Sequence, residues 1–267
     1  MRSPLRYPGG KSRALKLIRP YIPEYKDYRE PFVGGGSVWL DRLSQDTDDR
    51  TYWVNDLNSE VYHFWLWCKF DVQTLIDRVV ELKNKYIDGK LLHTTLKSQD
   101  PTTLTSLDRA TRFFILNRTA FGGKAETGGY SKAAFEGRFT TSSIERLKEL
   151  EGQLKGTLIT NLDYELVLKE SGKDVFIFLD PPYLANTSSR LYGSKGVLHT
   201  DFDHQRLVDN LKACEHKWLL TYDDCEQVRD SYSFANIYPY ELQYGMGNGK
   251  DKSAKKGKEL IITNYKI

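Results

Sequence analysis

The strongest constraint on the fold is the run Val175-Phe176-Ile177-Phe178-Leu179, five apolar residues without alternation, closed by Asp180-Pro181-Pro182-Tyr183. An unbroken apolar run of this kind suits a strand buried on both faces, inside a sheet covered by helices. In open α/β sheets the carboxyl ends of such strands are where ligands bind. The two prolines fix φ and have no N–H to donate, so the turn is stiff and its carbonyls point outward. The Asp180 carboxylate and the Pro181 carbonyl then form an acceptor pair beside the Tyr183 ring. That set suits gripping a planar ring that carries an amino group. A strand that merely ends in a proline-rich turn would show the same four residues, so the discrimination must come from elsewhere in the chain.

Further strands are expected near Tyr28–Val33, Thr51–Asn55, Thr157–Asn161, Lys217–Tyr222, Ile237–Tyr244 and Glu259–Tyr265. Between the second and third of these lies a stretch far longer than a normal crossover, so an inserted domain is the better account. Asn58–Tyr86 has helical periodicity, and Ser106–Arg118 places Leu107, Ala110, Phe113, Phe114 and Asn117 roughly on one helix face. The segment from Thr119 to Lys132 is too glycine-rich for regular structure, and Ser142-Ser143-Ile144-Glu145 resembles a capping box opening another helix. The expected architecture is an α/β sheet core built from both ends of the chain, interrupted by a mostly helical insertion over residues 59–150.

Composition narrows the class without naming a partner. No apolar run is long enough to span a membrane, and the basic, proline-broken amino terminus is not a secretory signal. Three cysteines, odd in number and without metal-ligand spacing, fit a reduced, cytoplasmic setting. A net charge of +3 is mild, but Lys250, Lys252, Lys255, Lys256 and Lys258 crowd one glycine-containing loop. Such a loop can follow a phosphate backbone, or be a solvated hairpin tip. His199-Thr200-Asp201-Phe202-Asp203-His204 has the residue types of a metal site. It precedes a helical-looking stretch that Asp201 or Asp203 can cap, and no metal is expected there.

Glu30-Pro31-Phe32-Val33-Gly34-Gly35-Gly36-Ser37 joins a strand to a helix, and its glycines allow a tight turn that a ligand can approach. Asp56 follows the next strand, about 20 residues on, where nucleotide binders keep an acid for ribose hydroxyls. Trp39 stands where a dinucleotide fingerprint needs a third glycine. A nucleoside without a pyrophosphate is therefore the expected ligand, and a nicotinamide-dependent dehydrogenase is disfavoured. Tyr7-Pro8-Gly9-Gly10-Lys11 is a second glycine turn, where Lys11 can hold an amino acid carboxylate and Tyr7 can cover its methylene chain. In Asn161-Leu162-Asp163-Tyr164 the acid can accept from an exocyclic amine while Tyr164 packs on the ring. An exposed basic turn and an ordinary helix N-cap at Asp163 are the plainer readings of these two segments.

Together these segments resemble, in type, order and spacing, the Dam-like DNA adenine N6-methyltransferases. These belong to the alpha group of amino-methyltransferases, whose target-recognition domain lies between the cofactor and catalytic motifs. The resemblance covers nearly the whole chain. It rests on Tyr7–Lys11, Glu30–Ser37, Asn55–Asn58, the stretch opened by Asn117-Arg118, and Asp180–Tyr183. It implies a Rossmann-like methyltransferase fold with a mixed sheet. Residues 1–58 and 151–267 would form the catalytic core, and 59–150 the inserted target-recognition domain. It implies S-adenosyl-L-methionine as cofactor, contacted by Tyr7, Lys11, Phe32, Gly34, Gly36, Asp56, Asp163, Tyr164 and Asp180. Catalysis would fall to Asp180, Pro181, Pro182 and Tyr183. Double-stranded DNA would meet Arg118, Phe121, Lys124, Tyr130, Lys132, Lys255 and Lys256. A monomer is expected, with a cognate restriction endonuclease as a conceivable partner in restriction-modification.

Family members that read GATC carry Asn-Gly and then an arginine in the recognition hairpin. Here no arginine occurs between Thr119 and Arg138. Arginine is the usual bidentate reader of guanine, so GATC is not the expected site. The expected chemistry draws the N6 hydrogens toward Asp180 and the Pro181 carbonyl, with Tyr183 stacked on a flipped base and Phe121 or Tyr130 filling the gap. Methylation of another planar amine (cytosine N4, RNA adenine or a glutamine side chain) stays open at the level of sequence, as does a catalytically silent DNA-binding partner subunit.

Overall fold

Seven strands form one mixed sheet in the order β3-β2-β1-β4-β5-β7-β6. They are β1 (Asp27–Glu30), β2 (Thr51–Asn55), β3 (Thr157–Thr160), β4 (Val175–Leu179), β5 (Lys217–Asp223), β6 (Asn236–Gln243) and β7 (Lys256–Thr263). The first five, β3-β2-β1-β4-β5, are parallel to one another, while β7 runs antiparallel to both β5 and β6. The computed structural model describes residues 1–46, 49–184, 201–243 and 256–267. Among these, the helices are α1 (Leu15–Ile18), α2 (Ser37–Leu43), α3 (Ser59–Phe70), α4 (Val72–Lys85), α5 (Gly89–Ser98), α6 (Ser106–Thr119), α7 (Lys132–Arg138), α8 (Thr141–Lys148), α9 (Tyr164–Lys169), α10 (His204–Ala213) and α11 (Glu226–Ser231). No described helix is long and apolar enough to cross a membrane.

The strand β4 is buried along its whole length, as its apolar run dictates. Successive side chains point to opposite faces. Phe176 and Phe178 join one apolar cluster, while Val175, Ile177 and Leu179 join the other. The first cluster also takes Val38 and Trp39 of α2, Val54 of β2, and Val61, Phe64 and Trp65 of α3. The helical stretch thus shares its core with one face of the sheet. Phe64 stacks on Phe114 of α6 at 5.9 Å, and Trp65 meets Trp39 edge-on at 5.1 Å.

Between β2 and β3 the chain is helical, α3 to α8, with a single isolated bridge, Ala120 to Tyr130. The periodic run from Asn58 to Tyr86 is two helices. Asp71 breaks it with a non-helical backbone (φ −157°, ψ 84°) and caps α4 by accepting from Thr74 N at 3.0 Å. The expected capping box at Ser142 is displaced. Thr140 is the N-cap of α8 and accepts from Ser143 N, so the helix opens two residues earlier. Neither α5 nor α7 was anticipated; both are short and begin after a polar cap, Asp88 and Ser131.

Candidate active site

The strand order reverses between β1 and β4, so their carboxyl ends diverge and leave a crevice. A cavity of about 280 Å³ opens there. One wall is the turn after β1. Gly34 has φ +42° and Gly36 +66°, conformations that side chains with a Cβ rarely adopt. A Cβ on Gly34 would lie 2.6 Å from the Tyr7 ring, so the aromatic of the amino-terminal motif packs directly on this turn. Gly34 N donates to Asp56 Oδ2 at 2.8 Å, and Trp65 Nε1 donates to Gly34 O at 2.9 Å. Asp56 also accepts from Asn58 N at 2.9 Å. Burial raises the Asp56 pKa to about 6, against the opposing pull of the Asn58 and Gly34 N–H groups.

Glu30, which opens the glycine motif, lies under the same wall. It is buried and accepts from Tyr28 Oη at 2.6 Å and Trp39 N at 2.9 Å. Burial pushes its pKa up to about 8; the Tyr28 hydroxyl bond opposes this and nearby Asp180 adds to it. Burial thus favours its neutral form, a feature the sequence did not suggest.

The opposite wall carries Asp180 at the end of β4. Lys11 Nζ stands 2.7 Å from Asp180 Oδ1 and 2.9 Å from Oδ2, and donates to Gly9 O at 2.9 Å. Thr221 Oγ1 of β5 donates to Asp180 Oδ1 at 2.8 Å. Lys11 is thus first the partner of Asp180, and a ligand carboxylate at Lys11 would share its ammonium with that acid.

The third side is aromatic. Phe32 lies 5.2 Å from Tyr164 and 5.7 Å from Phe202, ring centre to ring centre. Asp163 is the N-cap of α9, accepting from Glu165 N at 2.9 Å. It is also clamped by Arg206 of α10 at 2.8 and 2.9 Å. The plain helix-cap role is therefore realised at Asp163, and its carboxylate also borders the cavity.

Tyr7, Lys11, Phe32, Gly34, Gly36, Asp56, Asp163, Tyr164 and Asp180 all line this one cavity. Of the remaining motif residues, Pro182 lines it, while Pro181 is buried. Tyr183 lies alongside, stacked on Tyr222 at 5.5 Å and 14°. Phe202, Arg206, Thr221 and Glu259 were missed. Phe202 falls within the segment first weighed as a metal site. His199 of that segment lies outside the described residues, and Asp203 caps α10 by accepting from Arg206 N at 2.9 Å. Among the described residues no group of three or more His, Cys, Asp or Glu side chains could hold a metal ion.

The residues expected to meet DNA differ in exposure. Phe121 is 72% exposed and Lys132 is exposed, with Glu136 3.7 Å from its ammonium. Lys124 is half-buried. Tyr130 packs between His93 and Phe135, ring centres 5.8 and 6.3 Å away, so Phe121 is the more available wedge. Arg118 requires correction. It is 3% exposed, donates to Pro4 O and lies over the Phe114 ring. Burial lowers its pKa to about 10, helped by Arg146, Arg6 and Arg138. It ties the amino-terminal segment to α6, and its side chain is buried there. Lys255 lies outside the described residues, and Lys256 begins β7.

The profile of the D12 class N6 adenine-specific DNA methyltransferases matches residues 7–246. The Type II methyltransferase M1.LlaDCHI of Lactococcus lactis subsp. cremoris is 26% identical, over 97% of this chain and 94% of its own length. The Type II methyltransferase M.MjaIII of Methanocaldococcus jannaschii is 29% identical over 69% of this chain and 71% of its own. The DNA adenine methylase of Vibrio cholerae is 24% identical over 77% and 74%. A match over most of the chain, joined to a crevice where the glycine turn faces Asp-Pro-Pro-Tyr, places this chain in the D12 class of N6 adenine-specific DNA methyltransferases.

Proposed function

We propose that the cavity holds S-adenosyl-L-methionine and that the chain methylates N6 of an adenine turned out of double-stranded DNA. One observation carries this reading: a single cavity is bordered by the Gly34–Asp56 turn on one side and by Asp180 on the other. The donor and acceptor set fits the cofactor. Phe32, Tyr164 and Phe202 offer faces to a planar base, and the Asp56 carboxylate can accept from ribose hydroxyls. The Gly34 turn leaves room where a Cβ would intrude. When bound, that cofactor supplies an electrophilic methyl group.

The chain's own residues do the rest. Adenine N6 is a weak nucleophile because its lone pair is delocalised into the ring. Asp180 has one lone-pair site left after Lys11 and Thr221 are counted, enough to accept one N6 hydrogen. The Pro181 carbonyl takes the other, which favours a localised lone pair on nitrogen. Tyr183, stacked on Tyr222 and with the Lys11 ammonium 4.9 Å from its ring centre, borders the proposed place of the base and helps to hold it in line, an orientation effect that can contribute several kcal/mol. Extruding the base costs a few kcal/mol, which Phe121 offsets by filling the gap.

Residues 59–150 would carry target recognition, with Lys124 and Lys132 as base or phosphate contacts and Lys255 and Lys256 along the backbone. GATC is not the proposed site. The naming of two relatives as Type II methyltransferases supports a role opposite a restriction endonuclease, and a monomer in the cytoplasm is the proposed working form. The test is transfer of label from tritiated S-adenosyl-L-methionine to DNA from a host without adenine methylation. N6-methyladenine is expected in the digest, with none from Asp180→Ala although that variant still binds duplex. Label recovered as N4-methylcytosine would contradict the reading.

A further inference from the structure

Glu259 lies on β7, opposite Asp223 of β5 and Tyr240 of β6. It is 2% exposed and is followed by the apolar Leu260, Ile261 and Ile262. A buried carboxylate is costly, and nothing in the pairing of these strands calls for one. Its Oε2 accepts from the Tyr183 hydroxyl at 3.0 Å and from the Tyr240 hydroxyl. Its Oε1 has no partner among the described residues, so both phenols converge on one oxygen.

The Tyr183 ring is already flanked by Tyr222, nearly parallel at 14°, and by the Lys11 ammonium 4.9 Å from its centre. Offset stacking tolerates lateral displacement, so one ring can slide over another at little cost. A hydrogen bond at the para position stops that slide. Burial pushes the Glu259 carboxyl up, with Lys11 and the Tyr240 hydroxyl opposing. In either protonation state a carboxyl oxygen remains to accept from the phenols.

We propose that Glu259 is a positioning residue for methyl transfer, fixing the Tyr183 ring beside Asp180 through its hydroxyl. This rests on the reading that Tyr183 stacks on the target adenine. A misplacement of about 1 Å at a reacting group can cost about 100-fold in rate, which sets the scale expected here.

The test uses the purified full chain, tritiated S-adenosyl-L-methionine and DNA from a host lacking adenine methylation, under single-turnover conditions. Glu259→Leu and Tyr183→Phe should each slow transfer about 30- to 100-fold, and the double variant should be no slower than either alone. Glu259→Gln keeps an acceptor and should stay within about fivefold of wild type. Cofactor affinity by calorimetry should move less than about threefold throughout, since Glu259 lies outside the cavity lining. A leucine variant at the wild-type rate overturns the proposal. So does a glutamine variant as slow as leucine, or a double variant whose loss is the product of the single losses. Should the leucine variant not fold, Tyr183→Phe at the wild-type rate overturns it alone. Failure of the underlying functional reading looks different, because the wild-type chain itself would then transfer no label.

Discussion

The crevice between β1 and β4 and the 119–131 loop are built in opposite ways. The crevice is defined by where strands end. Its glycine turn follows β1, its acids follow β2 and β4, and sheet register sets their spacing. The loop has one bridge, Ala120 to Tyr130, and backbone bonds such as Phe121 N to Gly129 O and Gly128 N to Lys124 O, and side chains from distant segments tie it to the rest of the molecule. Asn117 accepts from Arg6 N at 3.0 Å and donates to Arg6 O and Gly123 O at 2.9 and 2.8 Å. Lys97 donates to Ala125 O, Glu126 O and Gly128 O. Asn58 donates to Glu126 Oε2 at 2.6 Å, next to the acid of the cofactor wall. A surface held by separate polar ties can change its reading residues without disturbing the sheet. A crevice made from strand ends cannot.

This contrast gives an ordered set of tests. The largest effect belongs to the crevice. Gly34→Val places a Cβ 2.6 Å from the Tyr7 ring at φ +42°, and calorimetry should show cofactor affinity falling about 100-fold, from strain and overpacking of ~1–3 kcal/mol each. Arg118→Leu comes next, because Arg118 braces the amino-terminal motif. Denaturant unfolding should show a loss of ~1–3 kcal/mol, while the salt dependence of DNA binding stays unchanged. A salt slope reduced by about 0.9 would instead restore Arg118 as a phosphate contact.

Lys97→Met leaves three loop carbonyls without their donor. The DNA KM should rise about tenfold while the cofactor Kd changes less than about twofold. Equal changes in both would show that loop and crevice are not separable. The smallest effect is pH-dependent. Asp56 has a pKa raised to about 6, so it gains a proton as pH falls through that value and loses acceptor capacity. Cofactor affinity should weaken below about pH 6 and level off above it, and Asp56→Asn should abolish that step.

The same contrast explains what the sequence made legible. A strand was expected near each of the seven, although β1 is Asp27–Glu30 and stops before the apolar Phe32 and Val33, which lie in the turn, and the cavity-lining residues fell in motifs at strand ends, where period and turn chemistry are local signals. Thr221 and Glu259 carry no such signal. Thr221 is a single hydroxyl between Leu220 and Tyr222 of β5, Glu259 follows Lys258 at the polar end of β7, and their partners Asp180 and Tyr183 are more than forty positions away. Lys11 was read as a ligand cation because only its glycine turn was visible. Its bond to Asp180 spans 169 positions and needs the fold to appear. Arg118 was misplaced for the reverse reason. A basic residue beside a recognition segment looks exposed until the Pro4 carbonyl is found to cover it.

The central claim is that the crevice between Gly34 and Asp180 directs a methyl group to adenine N6. It is tested most directly by expressing the full chain, and its Asp180→Ala variant, in a host without adenine methylation and sequencing both genomes for modified bases. The account predicts N6-methyladenine at one recurrent motif in cells with the wild-type chain and none with the variant. Equal methylation in both, or a modified cytosine in place of adenine, would contradict it.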